Sequence, residues 1–252
     1  MRGVRKGRFV TLRATVVGAG GLGGPIALSL GAAGLELTIV DHDVVELSNL
    51  HRQIQFTAAD LGQSKAARLA AVVEARGGAA RGVGARWTDD TADELAGDAD
   101  LVVDASDDPG TKFSVADWAI AHGRCYVIAA ALRYGGNVMI GAPGVACYRC
   151  LFEEPVAAPS CADAGVFGPV VGVIGGAAAA FALAIAHGDR AFAGALAVFD
   201  DLRRPGDPRI VRFAPRAGCP ACARAPIAPS LSSPVTPPQL ERAAPVRVAE
   251  SS

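Results

Sequence analysis

The stretch Thr15-Val16-Val17-Gly18-Ala19-Gly20-Gly21-Leu22-Gly23 decides the fold of this chain. Its first three residues read as the end of a buried β-strand. The pattern Gly18-x-Gly20-x-x-Gly23 then opens an apolar helix that runs to about Ala33. Glycines permit the sharp strand-to-helix turn and let backbone N–H groups come close to phosphate oxygens. The helix N-terminus adds partial positive charge at the same point. A second strand, Leu37 to Val40, ends at Asp41, where a dinucleotide-type unit places a carboxylate on ribose hydroxyls. An ordinary glycine-rich turn without a ligand is the plain alternative, and the well-placed acid argues against it.

The alternation continues on either side of this turn. Strands at 14–18, 36–41, 81–86, 101–104 and 126–128 alternate with helices at 22–33, 64–76, 91–96 and 110–122. This pattern predicts an α/β fold with a Rossmann-like, mostly parallel sheet and helices on both faces. After about residue 132 come short strands, an irregular loop, a long Ala-rich helix and a strand pair near 195–213, a mixed C-terminal portion. The uncharged run Val166–Ala186 passes a crude transmembrane length test, but it is rich in Gly and Ala and contains Pro169. It reads as a buried core helix. Residues 224–252, rich in Ala, Pro and Ser, read as a disordered tail.

At 252 residues the chain is long enough to bury a large core as one domain. Its net charge of −1 gives no argument for a nucleic acid or a membrane surface as partner. The basic N-terminus (Arg2, Arg5, Lys6, Arg8, Arg13) is not followed by the apolar run of a signal peptide. Four of the six cysteines form two CxxC pairs, which fits a metal site in a reducing compartment, and a cytoplasmic location is expected.

The residues after the turn carry the chemistry. Asp41-His42-Asp43 is followed by Ser48-Asn49-Leu50-His51-Arg52-Gln53 and then by Gly62-Gln63-Ser64-Lys65. A planar Arg52 fork can chelate phosphate oxygens, Lys65 supplies a compact charge, and Asn49 can donate an amide hydrogen bond to a phosphate or ribose oxygen. Singly, these are a surface cation, another surface cation and a turn residue. Together they suggest phosphates that are reacted on, because an anionic nucleophile approaches an anionic phosphate only where cations neutralise it. Cys147-x-x-Cys150 and Cys219-x-x-Cys222 can each clip one side of a tetrahedral Zn²⁺, giving a closed structural site. Cys161 stands alone in a small-residue loop, and Cys125 reads as a buried apolar residue.

These motifs, with Asp104-Ala105-Ser106-Asp107-Asp108 and Ala164-Gly165-Val166, resemble the ubiquitin-activating-enzyme superfamily over about residues 14–223. Within it the chain is similar to the ThiF/MoeB/HesA group, adenylyltransferases that activate sulfur-carrier proteins for molybdopterin and thiamin synthesis. The resemblance implies an ATP-dependent adenylation of the C-terminal glycine of a small ubiquitin-fold carrier ending in Gly-Gly, in a homodimer. It implies a single adenylyltransferase domain over 1–223, with a nucleotide-binding half at 14–131 and a zinc- and carrier-binding half at 132–223. It also implies Mg²⁺ on Asp107, and an adduct-forming cysteine at Cys161 in those members that use one.

The expected nucleotide-binding set is Gly18, Gly20, Gly21, Gly23, Asp41, Asp43, Asn49, Arg52, Gln53, Lys65 and Asp107. The expected catalytic set is Arg52, Lys65, Asp107 and Cys161. No sulfur-transferase domain is recognisable, so a separate sulfur donor protein is expected.

Three features depart from the group. Its members begin with a helix whose arginine reaches across the dimer, and Arg2, Arg5 and Arg8 do not align with it, leaving these and Arg133 as candidate substitutes. Asp108 stands where Asn is usual, and Lys112 where Arg is usual. A docking protein that binds nucleotide and carrier without turnover is therefore the second reading, and an NAD-dependent oxidoreductase the third.

Overall fold

In a computed structural model describing residues 11–155, 165–204 and 206–224, the glycine turn sits at the middle of an eight-stranded sheet. Strands β1 (Arg13–Val17), β2 (Glu36–Val40), β3 (Ala79–Val83), β4 (Leu101–Asp104) and β5 (Cys125–Leu132) are parallel, in the spatial order β3-β2-β1-β4-β5. Strands β6 (Gly135–Gly141), β7 (Ala195–Phe199) and β8 (Arg209–Arg212) continue the sheet antiparallel. The chain turns in opposite directions from β1 and β4, so the crevice between their carboxyl ends is a topological switch point, where open α/β sheets bind ligands.

Side chains of the central strands alternate between two cores, as expected of a sheet buried on both faces. Val16, Ile39, Val103 and Val127 face one core, with α1 (Gly23–Ala32), α2 (Lys65–Glu74) and α6 (Gly168–Ala186). Val17, Val40, Val102, Tyr126 and Ile128 face the other, with α3 (Ala92–Ala96), α4 (Pro109–Ala121) and the four-residue α5 (Tyr148–Leu151). Trp87, Phe113 and Trp118 fill that second core. Fully burying one large apolar side chain contributes about 1.5–3 kcal/mol.

The expected order of elements is present, with two differences. The third strand lies at Ala79–Val83 instead of 81–86, and its mixed AARGV pattern marks an edge strand with little burial to set its register. Helix α5 is an addition to the expected elements, and Cys147 is its N-cap. The Ala-rich segment forms α6, which is long and apolar enough to cross a membrane by length and composition. Here it lays Val170, Val171, Ile174, Ala178, Ala182 and Ile185 into the first core, against α1, β5 and β6. Arg2, Arg5, Arg8, Cys161 and the tail from residue 225 lie outside the described residues.

Candidate nucleotide-binding site and cysteine cluster

The turn is built by steric demand. Gly18 adopts φ +93°, and a side chain there would press to 3.0 Å against Ala105 and Ser106. A side chain at Gly23 would collide with the Gly18 carbonyl. Both positions therefore require glycine, the first to leave β1 beside β4 and the second to start α1 at once.

Asp41, just past the end of β2, accepts hydrogen bonds from the Ala19 N–H at 2.7 Å and the Asp43 N–H at 2.8 Å. Each oxygen keeps a further lone pair for a hydroxyl donor. The segment carrying Asn49, Arg52 and Gln53 folds over the turn. A carbon added at Gly20 would lie 3.5 Å from Gln53 Nε2, and one at Gly21 would lie 3.3 Å from the Arg52 carbonyl oxygen. Gln53 donates to Asn49 Oδ1 at 3.0 Å, while its own buried Oε1 has no partner. The Arg52 guanidinium donates to the Ser48 carbonyl at 3.3 Å and has no carboxylate partner among the described residues.

Lys65, at the first turn of α2, is 6% exposed, and its ammonium donates to Asp43 Oδ2 at 2.9 Å. Burial pushes Asp43 up, but the Lys65 hydrogen bond and charge, with His42 and Arg86, outweigh it and hold the carboxyl below its ordinary range. Asp107 follows β4 at the switch point and is exposed, with no side-chain hydrogen bond or ion pair among the described residues. Its carboxylate is an open hard-oxygen donor of the kind Mg²⁺ takes.

The unusual Asp108 is engaged by the helix that follows it. It caps α4, accepting from the Thr111 N–H at 2.7 Å and the Thr111 hydroxyl at 2.8 Å. Lys112 is also structural: its buried ammonium donates to Asp104 at 2.7 Å, to the Ser106 carbonyl at 2.7 Å and to the Ala129 carbonyl at 2.9 Å.

One supporting residue escaped the sequence reading. Gln55 is buried, and its amide donates to the carbonyls of Ala19 and Gly20, both at 2.9 Å, fixing the glycine turn from behind. The available signal was a second polar residue two positions after Gln53, between Ile54 and Phe56.

On the opposite face the four cysteines converge. The Cys147–Cys219, Cys150–Cys222, Cys147–Cys222 and Cys147–Cys150 sulfurs are 3.5, 3.5, 3.4 and 3.7 Å apart. Tetrahedral thiolates on Zn²⁺ stand about 3.8 Å apart, so the donor set and its spacing fit that ion. Burial pushes the Cys219 thiol up, but backbone N–H donors from Cys222 and Ala221 and the neighbouring thiols bring it to about 7. The Arg216 N–H also donates to Cys150 Sγ at 3.3 Å. Cys125 is half-buried at the opposite edge of the sheet from the glycine turn, and burial raises its pKa.

The fold and site define an α/β protein with a glycine turn of the phosphate-binding type, nearby cations and a four-cysteine cluster that could hold a metal. More narrowly, the ThiF family profile matches residues 6–221, and the chain belongs to that family. It is 40% identical over 221 residues to a protein named sulfur carrier protein adenylyltransferase from Thermus thermophilus, covering 82% of this chain and 80% of the relative. It is also 40% identical over 231 residues to the adenylyltransferase and sulfurtransferase MOCS3 of Bos taurus, covering 87% of this chain and 50% of that protein, so it spans about half of that relative. Among solved structures, E. coli MccB with ATP superposes with a TM-score of 0.70 at 19% identity, over 84% of this chain and 66% of the other, a likeness of fold.

Proposed function

We propose that this chain is an adenylyltransferase that uses ATP to activate the C-terminal glycine carboxylate of a small ubiquitin-fold sulfur carrier, in molybdopterin- or thiamin-type sulfur transfer. The observation that carries this reading is the assembly, at the switch point, of the glycine turn, Arg52, the Lys65–Asp43 pair and an unpartnered Asp107 carboxylate. The 40% identity to the Thermus protein, over 82% of this chain and 80% of the relative, supports it.

The nucleotide's phosphates lie over the Gly18–Gly23 turn and the N-terminus of α1, with the ribose hydroxyls on Asp41 and with Gln53 packed beneath Gly20. Asn49 donates to a phosphate or ribose oxygen. Arg52 and Lys65 neutralise the α-phosphate, so that a carboxylate oxygen can form a bond to its phosphorus. The bond from that phosphorus to the β-phosphate oxygen breaks, and pyrophosphate leaves with the electron pair; no proton is transferred. Asp107 would hold Mg²⁺, which shields phosphate charge when bound. Cys147, Cys150, Cys219 and Cys222 would hold Zn²⁺ as a structural ion.

We read the enzyme as a homodimer supplied with sulfur by a separate protein. The exposed Pro169, Val173, Gly176 and Ala180 face of α6 supports the dimer.

The test is substitution of the two cations. Arg52→Ala and Lys65→Ala are expected to abolish adenylate formation while leaving zinc content near wild type. Wild-type turnover in either variant would remove that residue from the mechanism.

A further inference from the structure

Arg133 is the one non-glycine residue at positive φ among the described residues, with φ +52°. It begins the two-residue turn of the β5–β6 hairpin, beyond the carboxyl end of β5, on the same sheet edge as the glycine turn. An L-residue is strained there and glycine is not. The chain places glycines shortly after it, at Gly135 and Gly136, where side chains would collide with the Phe199 and Ala130 carbonyls. The strained position itself keeps an arginine.

Its backbone does not explain that choice. The Arg133 N–H donates to the Gly165 carbonyl at 3.0 Å, and its carbonyl accepts from the Phe167 N–H at 3.0 Å. Any residue provides those groups. Its exposed guanidinium has no ion pair among the described residues. The carboxylates beyond the hairpin are occupied: Asp201 pairs with Arg203 and Arg204, and Asp200 with Arg209.

The same backbone bonds tie Arg133 to the reacting centre. Phe167 is followed by Gly168, where an added carbon would lie 2.9 Å from the His51 carbonyl and 3.9 Å from Arg52 Cα. The Arg133 backbone is thus joined, through Phe167 and Gly168, to the segment that carries Arg52. Tyr134, the next residue, and Phe167 form an exposed aromatic pair, with ring centroids 6.2 Å apart, and the Arg203 guanidinium lies 3.8 Å from the Tyr134 ring.

We propose that Arg133 receives the carboxylate-ended tail of the acyl substrate, guiding that anion across Tyr134 and Phe167 toward Arg52. This rests on the adenylation reading above. It assigns the tail's recognition to a residue that binds substrate and takes no part in pyrophosphate departure. The strained backbone is retained because glycine would forfeit the charge.

The experiment measures pyrophosphate exchange with a ubiquitin-fold carrier ending in Gly-Gly. In parallel it measures binding of that carrier, and of its C-terminal carboxamide form, to Arg133→Ala, Arg133→Gly and Arg133→Lys. Loss of a charge-assisted hydrogen bond is expected to raise KM for the carrier by about 10- to 100-fold in the Ala and Gly variants. The KM for ATP and the zinc content should not move, and Lys should restore part of the effect. The carboxamide carrier should bind wild type and Arg133→Ala equally. Arg133→Gly should unfold about 2–4 °C higher than wild type, because strain is relieved.

A rise in KM for ATP alone would assign Arg133 to the nucleotide and overturn the proposal. So would an unchanged KM for the carrier in variants of a wild type that does catalyse exchange, and this leaves the adenylation reading standing. A wild type with neither exchange nor carrier binding would remove both.

Discussion

Asp108 shows how one side chain's partners change its meaning. In sequence it is an extra carboxylate beside a phosphate site, where it would repel the substrate. In the structure it caps α4 through Thr111. Asp108→Ala is therefore expected to cost about 1 kcal/mol of stability and to leave carrier-dependent exchange unchanged. An altered exchange rate would place Asp108 in the site.

Asp60 has a comparable structural role. The Thr57 N–H lowers its pKa most; burial opposes this, and the Thr57 hydroxyl and Arg68 add to the lowering. A carboxyl lowered in the folded state stabilises the fold above the ordinary carboxylate range and stops doing so as pH falls through its folded value. Asp60→Asn should therefore be less stable at neutral pH by about 1–2 kcal/mol, allowing for Arg68's access to water. Its urea midpoint should also fall less than that of wild type between about pH 5 and pH 2. Parallel acid limbs in the two proteins would contradict this.

Among the elements, helix α4 adds a buried polar anchor to its apolar packing. Lys112 reaches from it to Asp104 on β4 and to the Ala129 carbonyl on β5. Burial raises the Asp104 pKa, and Lys112 opposes that rise. Lys112→Met should destabilise by about 3–5 kcal/mol in urea unfolding, because it leaves Asp104 buried and uncompensated, and the double variant Lys112→Met, Asp104→Leu should recover most of the loss. A single variant as stable as wild type would show that the pair does not hold α4.

This is also the scale at which the sequence was most readable. Strands such as Leu101–Asp104 and the helix after Gly23 announce themselves through continuous apolar runs and the glycine turn, which are local signals. Asp41, Asn49, Arg52 and Lys65 could be read as one cluster because all four lie in the single connection from the end of β2 to the start of α2. Gln55 was not, because it acts on carbonyls 35 and 36 residues away. The roles of Lys112 and Arg133 depend on packing and on a backbone angle, which no composition pattern encodes. β3 was misplaced by two residues at its start and three at its end because, at an edge, burial does not fix register.

At the scale of the whole molecule, the two faces of the sheet divide the work. On the proposed function the carboxyl edge holds the reacting groups, and the cysteine cluster clips residues 219–222 onto the start of α5, in the core with Phe113 and Tyr148. The purified chain should contain one Zn²⁺, and Cys219→Ser should lose it and unfold at lower temperature. Metal affinity should weaken in acid as thiolates take up protons. A metal-free protein of equal stability would contradict the structural role of the cluster.

The measurement that reaches the central claim is Mg-ATP–pyrophosphate exchange by the zinc-loaded protein with a panel of Gly-Gly-ending carriers, run beside Asp107→Ala. The account predicts exchange that depends on one carrier and disappears in the variant. Tight ATP binding with no exchange for any carrier, or exchange undiminished in Asp107→Ala, would contradict it.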